Sequence, residues 1–199
     1  MEVSLDKVKA LREQTSAGIM DCKKALAESE GDLKAAAEYL RKKGIAKAAK
    51  FVDRQAGEGL VHAYIHPGGR IGVLIEVNCE TDFVARTDEF RNLVNDLALQ
   101  VAATSPLALT REDVDEAAIE KEKEICRSQA LESGRPEKVI DKIVAGKLDK
   151  FFEEVCLMEQ TFVKDQERKV EDVVKEASGK VGENIVIRRF TRFQLGEAS

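Results

Sequence analysis

Between residues 5 and 40 the apolar positions recur at helical spacing, and from residue 60 to residue 77 they recur at every second position. Leu5, Val8 and Leu11 stand at i, i+3 and i+6 before Thr15-Ser16-Ala17-Gly18 interrupts. Ile19, Cys22 and Leu26 mark a second amphipathic helix, which ends near Gly31. Asp32 is placed to cap a third, because its side-chain oxygen can accept from the free N–H groups of the next turn. Leu33, Ala36, Ala37 and Leu40 form that helix's stripe, and Gly44 supplies a stop signal. Residues 45–54, rich in Ala and Lys, predict a helical linker that Gly57 and Gly59 break. The expectation is a three-helix bundle with its linker over 1–54, followed by a core domain over 55–199.

The core opens on strands. Val61, Ala63 and Ile65 face one way, and His62, Tyr64 and His66 the other. Pro67-Gly68-Gly69 suits a turn, after which Ile71, Val73, Ile75 and Val77 alternate, so the pair predicts a β-hairpin. A third strand is expected at 185–193, from Ile185, Val186, Ile187, Phe190 and Phe193. Between them, Phe90, Leu93, Val94, Leu97 and Val101 keep the i, i+3, i+4, i+7 rule. Residues 115–133 are helical in composition but mostly charged, which predicts a surface helix. Gly134 and Pro136 punctuate it. Ile140, Ile143, Val144, Leu148, Phe151, Phe152 and Val155 form a further stripe, with a kink expected at Gly146. Val170, Val173, Val174, Ala177 and Val181 form the last. The fold class is therefore α+β: a three-helix bundle, then a core with a three-stranded antiparallel sheet covered by helices.

Composition narrows the function. The chain has 199 residues, 43% hydrophobic and 35% charged, with net charge -5 and both signs interleaved. That balance opposes direct nucleic-acid binding, which needs a broad basic footprint. No apolar run approaches the roughly 20 residues of a membrane span. The start, Met1-Glu2-Val3-Ser4-Leu5-Asp6, lacks the basic-then-apolar pattern of a secretory leader, so a cytoplasmic protein is expected. Cys22, Cys79, Cys126 and Cys156 lie far apart, which predicts buried free thiols in a reducing compartment rather than disulfides or a zinc site.

Candidate catalytic chemistry is sparse. His62 and His66, four apart on one strand face, could present two metal ligands, but no carboxylate stands in a ligand pattern, and a polar strand face is the preferred reading. Gly68-Gly69-Arg70-Ile71-Gly72 joins two strands instead of opening a helix, so a phosphate loop fails. No nucleophile elbow or Walker lysine is present, and neither enzyme chemistry nor a cofactor is expected. The unusual segment is Asn78-Cys79-Glu80-Thr81-Asp82-Phe83-Val84-Ala85-Arg86, between a clean strand and a clean helix. Thr87 is placed to cap that helix, with Asp88 and Glu89 at its positive end. Phe83 then lies in the connection as an exposed contact. Alternatively, an earlier helix start would put Phe83 and Phe90 together in the core, the reading that pattern alone favours.

The segment from Asn78 to Arg86 resembles a signature of the elongation factor Ts family. So does Leu11-Arg12-Glu13-Gln14-Thr15-Ser16-Ala17-Gly18-Ile19-Met20-Asp21-Cys22-Lys23-Lys24-Ala25-Leu26, and so do Gly69-Arg70-Ile71-Gly72-Val73-Leu74, residues 136–163 and Lys180-Val181-Gly182-Glu183-Asn184-Ile185-Val186-Ile187-Arg188-Arg189-Phe190. The stretches occur in the family's order and cover most of the chain. Gln160-Thr161-Phe162-Val163 departs from the family's usual Gln-Pro-Phe-Val, and Thr15-Ser16-Ala17-Gly18 from its common Thr-Gly-Ala-Gly.

The resemblance implies a ubiquitin-associated-like N-terminal bundle and one core unit, as in the homodimeric short bacterial form. It implies guanine-nucleotide exchange on elongation factor Tu in its GDP form. Thr81, Asp82, Phe83 and Val84 match the segment that docks on the partner and dislocates its Mg²⁺. Ile19, Met20, Lys23, His66, Val181 and Gly182 match further partner contacts; of the adjacent Ile19 and Met20, one is expected to be internal. The rival expectations are an interaction adaptor without exchange activity and, more remotely, a metal-dependent enzyme on His62 and His66.

Overall fold

The computed structural model describes residues 4–15, 17–133 and 136–197. Ser16 and Gly134, two of the interruptions read from the sequence, lie outside the described residues. The chain packs as two compact units, Met1–Leu60 with Val77–Leu93 and Asp172–Arg188, and Val61–Glu76 with Val94–Glu171 and Arg189–Ser199.

In the first unit, Asp32 caps as expected: its Oδ1 accepts from the N–H of Ala35 at 2.8 Å. The helix that follows is the third of three, α1 (Leu5–Thr15), α2 (Ile19–Glu28) and α3 (Leu33–Ala48). Val8, Leu11, Cys22, Ala25, Leu26 and Ala36 form their buried cluster, whereas Leu5 stays exposed. Gly44 does not stop α3, which runs on to Ala48. The reason is a close approach. Carbonyl oxygen, carbonyl carbon and Cα of Gly44 lie 2.2, 2.6 and 2.7 Å from where a Cβ on Gly179 would stand, in the later helix α8 (Val170–Val181). Two glycines let the backbones meet. Lys47 adds a hydrogen bond from Nζ to the Gly179 carbonyl at 3.4 Å.

The strands are β1 (Glu58–Ile65), β2 (Ile71–Cys79) and β5 (Val186–Gln194), in the antiparallel order β1-β2-β5. At the hairpin, His66 N–H donates to the Ile71 carbonyl at 2.9 Å, and Gly68 and Gly69 take the positive φ angles that the turn needs. Val73, Ile75, Val77 and Cys79 form the buried row of β2. The apolar row of β1 does the opposite. Val61, Ala63 and Ile65 face solvent, while His62 and Tyr64 are half-buried.

After β2 come α4 (Asp82–Ala85) and α5 (Asp88–Thr104), the latter burying Phe90, Leu93, Val94, Leu97 and Val101. In the second unit, α6 (Glu116–Glu132) and α7 (Glu137–Val155) form a helical hairpin burying Cys126, Ala130 and Ile140. Gly146 does not interrupt α7, which is helical throughout. A small hairpin of β3 (Thr161–Phe162) and β4 (Asp165–Lys169) was not foreseen. Buried Gln100 holds it: its amide donates to Gln160 Oε1 and the Thr161 carbonyl, both at 3.1 Å, and its oxygen accepts from Val163 N–H at 2.8 Å.

Candidate functional site

The strand-to-helix junction turns on two threonines. Thr81 is extended, at φ -130 and ψ 152, and its Oγ1 accepts from Val84 N–H at 3.4 Å, which starts α4. Six residues on, Thr87 ends one element and starts the next. Its N–H and Oγ1–H donate to the Val84 carbonyl at 3.0 and 2.8 Å, and its Oγ1 accepts from Phe90 N–H at 3.3 Å. Thr87 thus caps α5 as expected, and the helix is interrupted between Phe83 and Phe90. Ala85 points inward and Val84 is half-buried. Phe83 is 78% exposed. The exposed alternative holds, and the core alternative is excluded by the cap.

Asp82, beside the ring, pairs with Arg86 at 2.7 Å across one exposed turn. Behind the turn, the Cys79 thiol donates to the Thr81 carbonyl at 3.2 Å. Burial, reinforced by the Glu183 carboxylate, pushes that thiol up to about 11, so it stays neutral and acts as packing.

Elsewhere in the first unit, α2 turns Cys22, Ala25 and Leu26 inward, and Ile19 and Met20 are 50% and 75% exposed. The expectation that one of them is internal is corrected: the inward stripe begins at Cys22, and the first turn carries both side chains into solvent. Lys23 is exposed beside them. Val181 and Gly182 are half-buried at the end of α8, where Gly182 adopts φ +80 and returns its N–H to the Ser178 carbonyl at 2.8 Å. In the second unit, exposed His66 sits just past β1, its Nδ1 3.1 Å from Tyr64 Oη. Among the described residues, no group of three or more His, Cys, Asp or Glu side chains is placed to hold a metal ion.

A family model described as elongation factor TS matches residues 45–197. The elongation factor Ts of Moorella thermoacetica is 63% identical over 190 residues, covering 96% of this chain and 94% of that one. That of Thermoanaerobacter sp. is 57% identical over 195 residues, covering 98% and 96%, and that of Desulforamulus reducens 55% identical over 196, covering 98% and 90%. The chain belongs to the elongation factor Ts family. With that membership comes the role of a nucleotide exchange factor in translation elongation, with elongation factor Tu as partner.

The pattern along the chain does not single out the residues that stand behind the exposed ones. Glu80, Glu183 and Asn184 tie the Phe83 turn to the end of α8 and to the segment after α3. Their signal was faint: charged or amide residues within matched stretches, with no partner visible until the fold brings positions about a hundred residues apart together.

Proposed function

We propose that the chain speeds GDP release by inserting Phe83 into the nucleotide-binding domain of elongation factor Tu, where the ring displaces elements that hold Mg²⁺. The observation that carries this reading is the exposure of Phe83 on a short, internally capped turn. Magnesium demands near-octahedral oxygen ligands at close to fixed distances, so a small shift of one ligand weakens the ion. Without it, the diphosphate loses its charge neutralisation. A phenyl ring suits the task because it is large, rigid and apolar. Asp82 fixes register by accepting hydrogen bonds, exchanging its bond from Arg86 for one from the partner, while Thr81 and Val84 hold the turn's shape. Ile19, Met20 and Lys23 on α2, Val181 and Gly182 at the end of α8, and His66 supply the flanking contacts.

No covalent bond forms or breaks in this process. Factor and GDP bind the partner with negative coupling, and linkage makes the weakening reciprocal. Each tenfold loss of GDP affinity requires about 1.4 kcal/mol of differential contact energy. An aromatic hot spot of about 2–4 kcal/mol supplies more than one such factor. We also propose that residues 1–54 act as a ubiquitin-associated-like module on a core of 55–199, that the protein works in the cytoplasm, and that it is a homodimer. The dimer reading is supported by the outward apolar row of the sheet.

Release of a fluorescent GDP analogue from elongation factor Tu tests the proposal. The intact chain should accelerate release, and Phe83→Ala should lower that acceleration roughly 30-fold or more, the equivalent of about 2 kcal/mol. Normal exchange by a folded Phe83→Ala protein would refute the wedge. An intact chain that binds elongation factor Tu without accelerating release would favour the adaptor.

A further inference from the structure

Phe83 buries little of itself, so its direction must come from the backbone beneath it. That backbone is a single helical turn, and one turn closes too few hydrogen bonds to hold its own shape. The missing constraint comes from outside the turn. Glu183 Oε2 accepts from the N–H groups of Glu80 at 3.1 Å and Thr81 at 3.0 Å, and Glu183 Oε1 accepts from the Thr81 hydroxyl at 2.6 Å. The arrangement is reciprocal: Glu80 Oε1 accepts from the N–H of Asn184 at 2.7 Å and from Arg54 at 3.5 Å. Asn184, itself buried, donates its side-chain amide to the carbonyls of Val52 at 3.2 Å and Arg54 at 2.8 Å. Ser178 Oγ donates to the Glu183 carbonyl at 2.5 Å, which holds the carboxylate's own backbone to the last turn of α8.

We infer that Glu183 is a positioning residue for nucleotide exchange. With Glu80 it forms a two-way carboxylate clamp that presets the Phe83 turn against the Val181–Gly182 end of α8. The inference rests on the reading of Phe83 as the wedge. Three donors from two successive residues converge on one side-chain end, so its reach from α8 fixes where the turn begins. Both loops are therefore ordered before the partner arrives, and in the complex the ring is held in the direction from which it works. Glu183 lies two residues beyond the proposed contact Val181, so one side chain sets the spacing of two contact patches. Asn184 extends the same node to the segment after the bundle.

The test uses the full chain and fluorescent-GDP release at saturating factor. Glu183→Ala should lower the maximal release rate at least fivefold. In a Phe83→Ala background the same change should cost less than twofold, because a clamp that acts through the ring has nothing left to position. Equal losses in both backgrounds would overturn the inference in favour of a general structural role. Two conservative variants separate reach from charge. Glu183→Gln keeps one oxygen for the two backbone N–H groups, its amide can donate to Thr81 Oγ1 where the carboxylate accepted, and it should stay within threefold of the parent. Glu183→Asp keeps the charge, withdraws it by one methylene and should behave like Glu183→Ala. The opposite order would overturn the clamp and assign Glu183 as a surface charge. If Glu183→Ala does not fold, the Gln–Asp order alone decides. Normal exchange by Phe83→Ala would remove the wedge and the clamp together. A defective Phe83→Ala beside a normal Glu183→Asp would overturn the clamp alone.

Discussion

Phe83 and Phe90 are two helical turns apart, a spacing that places both on one face only if a single helix runs through them. Thr87 prevents this by capping α5 with its side chain, which leaves Phe90 1% exposed and Phe83 at 78%. Apolar periodicity could not decide between these arrangements, because it counts positions and does not see a broken axis. The family resemblance, not the pattern, pointed to the ring as a contact. The two residues should therefore separate cleanly in urea unfolding. Phe90→Ala should cost about 3–5 kcal/mol, as truncation of a buried aromatic does, whereas Phe83→Ala should fall within about 0.5 kcal/mol of the parent. The cysteines were more legible: four dispersed thiols read as free and buried, and all four are. Burial pushes Cys79 and Cys156 each up to about 11 from a usual 9.0. A raised folded pKa means that the stability these thiols contribute is complete below pH 9 and drains away between 9 and 11. Unfolding midpoints should drop across that window, and Cys79→Ala should flatten the drop. At pH 8, iodoacetamide should leave both thiols unmodified until urea exposes them.

At the level of elements, the change from period 3.6 to period 2 located the bundle, the hairpin and the helices around the sheet, because α1, α2, α5 and β2 each keep one buried stripe. Short elements escaped. Thr161–Phe162 is two residues long, and Asp165–Lys169 is polar throughout, so neither carries a period to read. Gly44 was misjudged for a related reason. A glycine signals a helix end through its backbone freedom, but a glycine in mid-helix signals a neighbour too close for a side chain, and the sequence does not distinguish the two. The geometry here is asymmetric, and that makes a sharp prediction. A Cβ on Gly179 would collide with backbone atoms of Gly44, which cannot rotate away, so Gly179→Ala should cost about 1–3 kcal/mol. A Cβ on Gly44 meets nothing nearer than the Glu176 carbonyl oxygen at 3.8 Å, an ordinary contact. Gly44→Ala should then gain up to about 1 kcal/mol from helix propensity. Paired denaturation curves with opposite shifts would establish the crossing; a loss of equal size in both variants would refute it.

For the molecule as a whole, the face of the sheet that looks outward raises the question of what covers it. In the second unit Val61, Ile65, Leu74, Phe193 and Leu195 are all exposed, and Arg189 pairs with Glu76 at 2.7 Å beside them. Gly72 completes the flat face: a Cβ there would stand 3.1 Å from Ile65 Cδ1. Alternation in β1 was legible, but which row faces the interior was not, since a strand with apolar residues on both sides of its sheet leaves that choice to the packing. Apolar strand rows left in water are rare unless another surface meets them. In the proposed homodimer a second copy of the same face does so, because a two-fold interface needs only one self-complementary patch. Sedimentation at tens of micromolar should give twice the chain mass. Leu74→Glu with Phe193→Asp should halve it, because each two-fold contact would then bury negative charge from both copies with no added cation to offset it. The first unit, which holds Phe83, carries neither substitution, so the monomeric variant should keep a folded Phe83 turn and the protection of Cys79 from alkylation. A parent chain that sediments as a monomer would leave the apolar face to the translation partner, and the same pair of substitutions would then lower affinity for elongation factor Tu instead of changing mass.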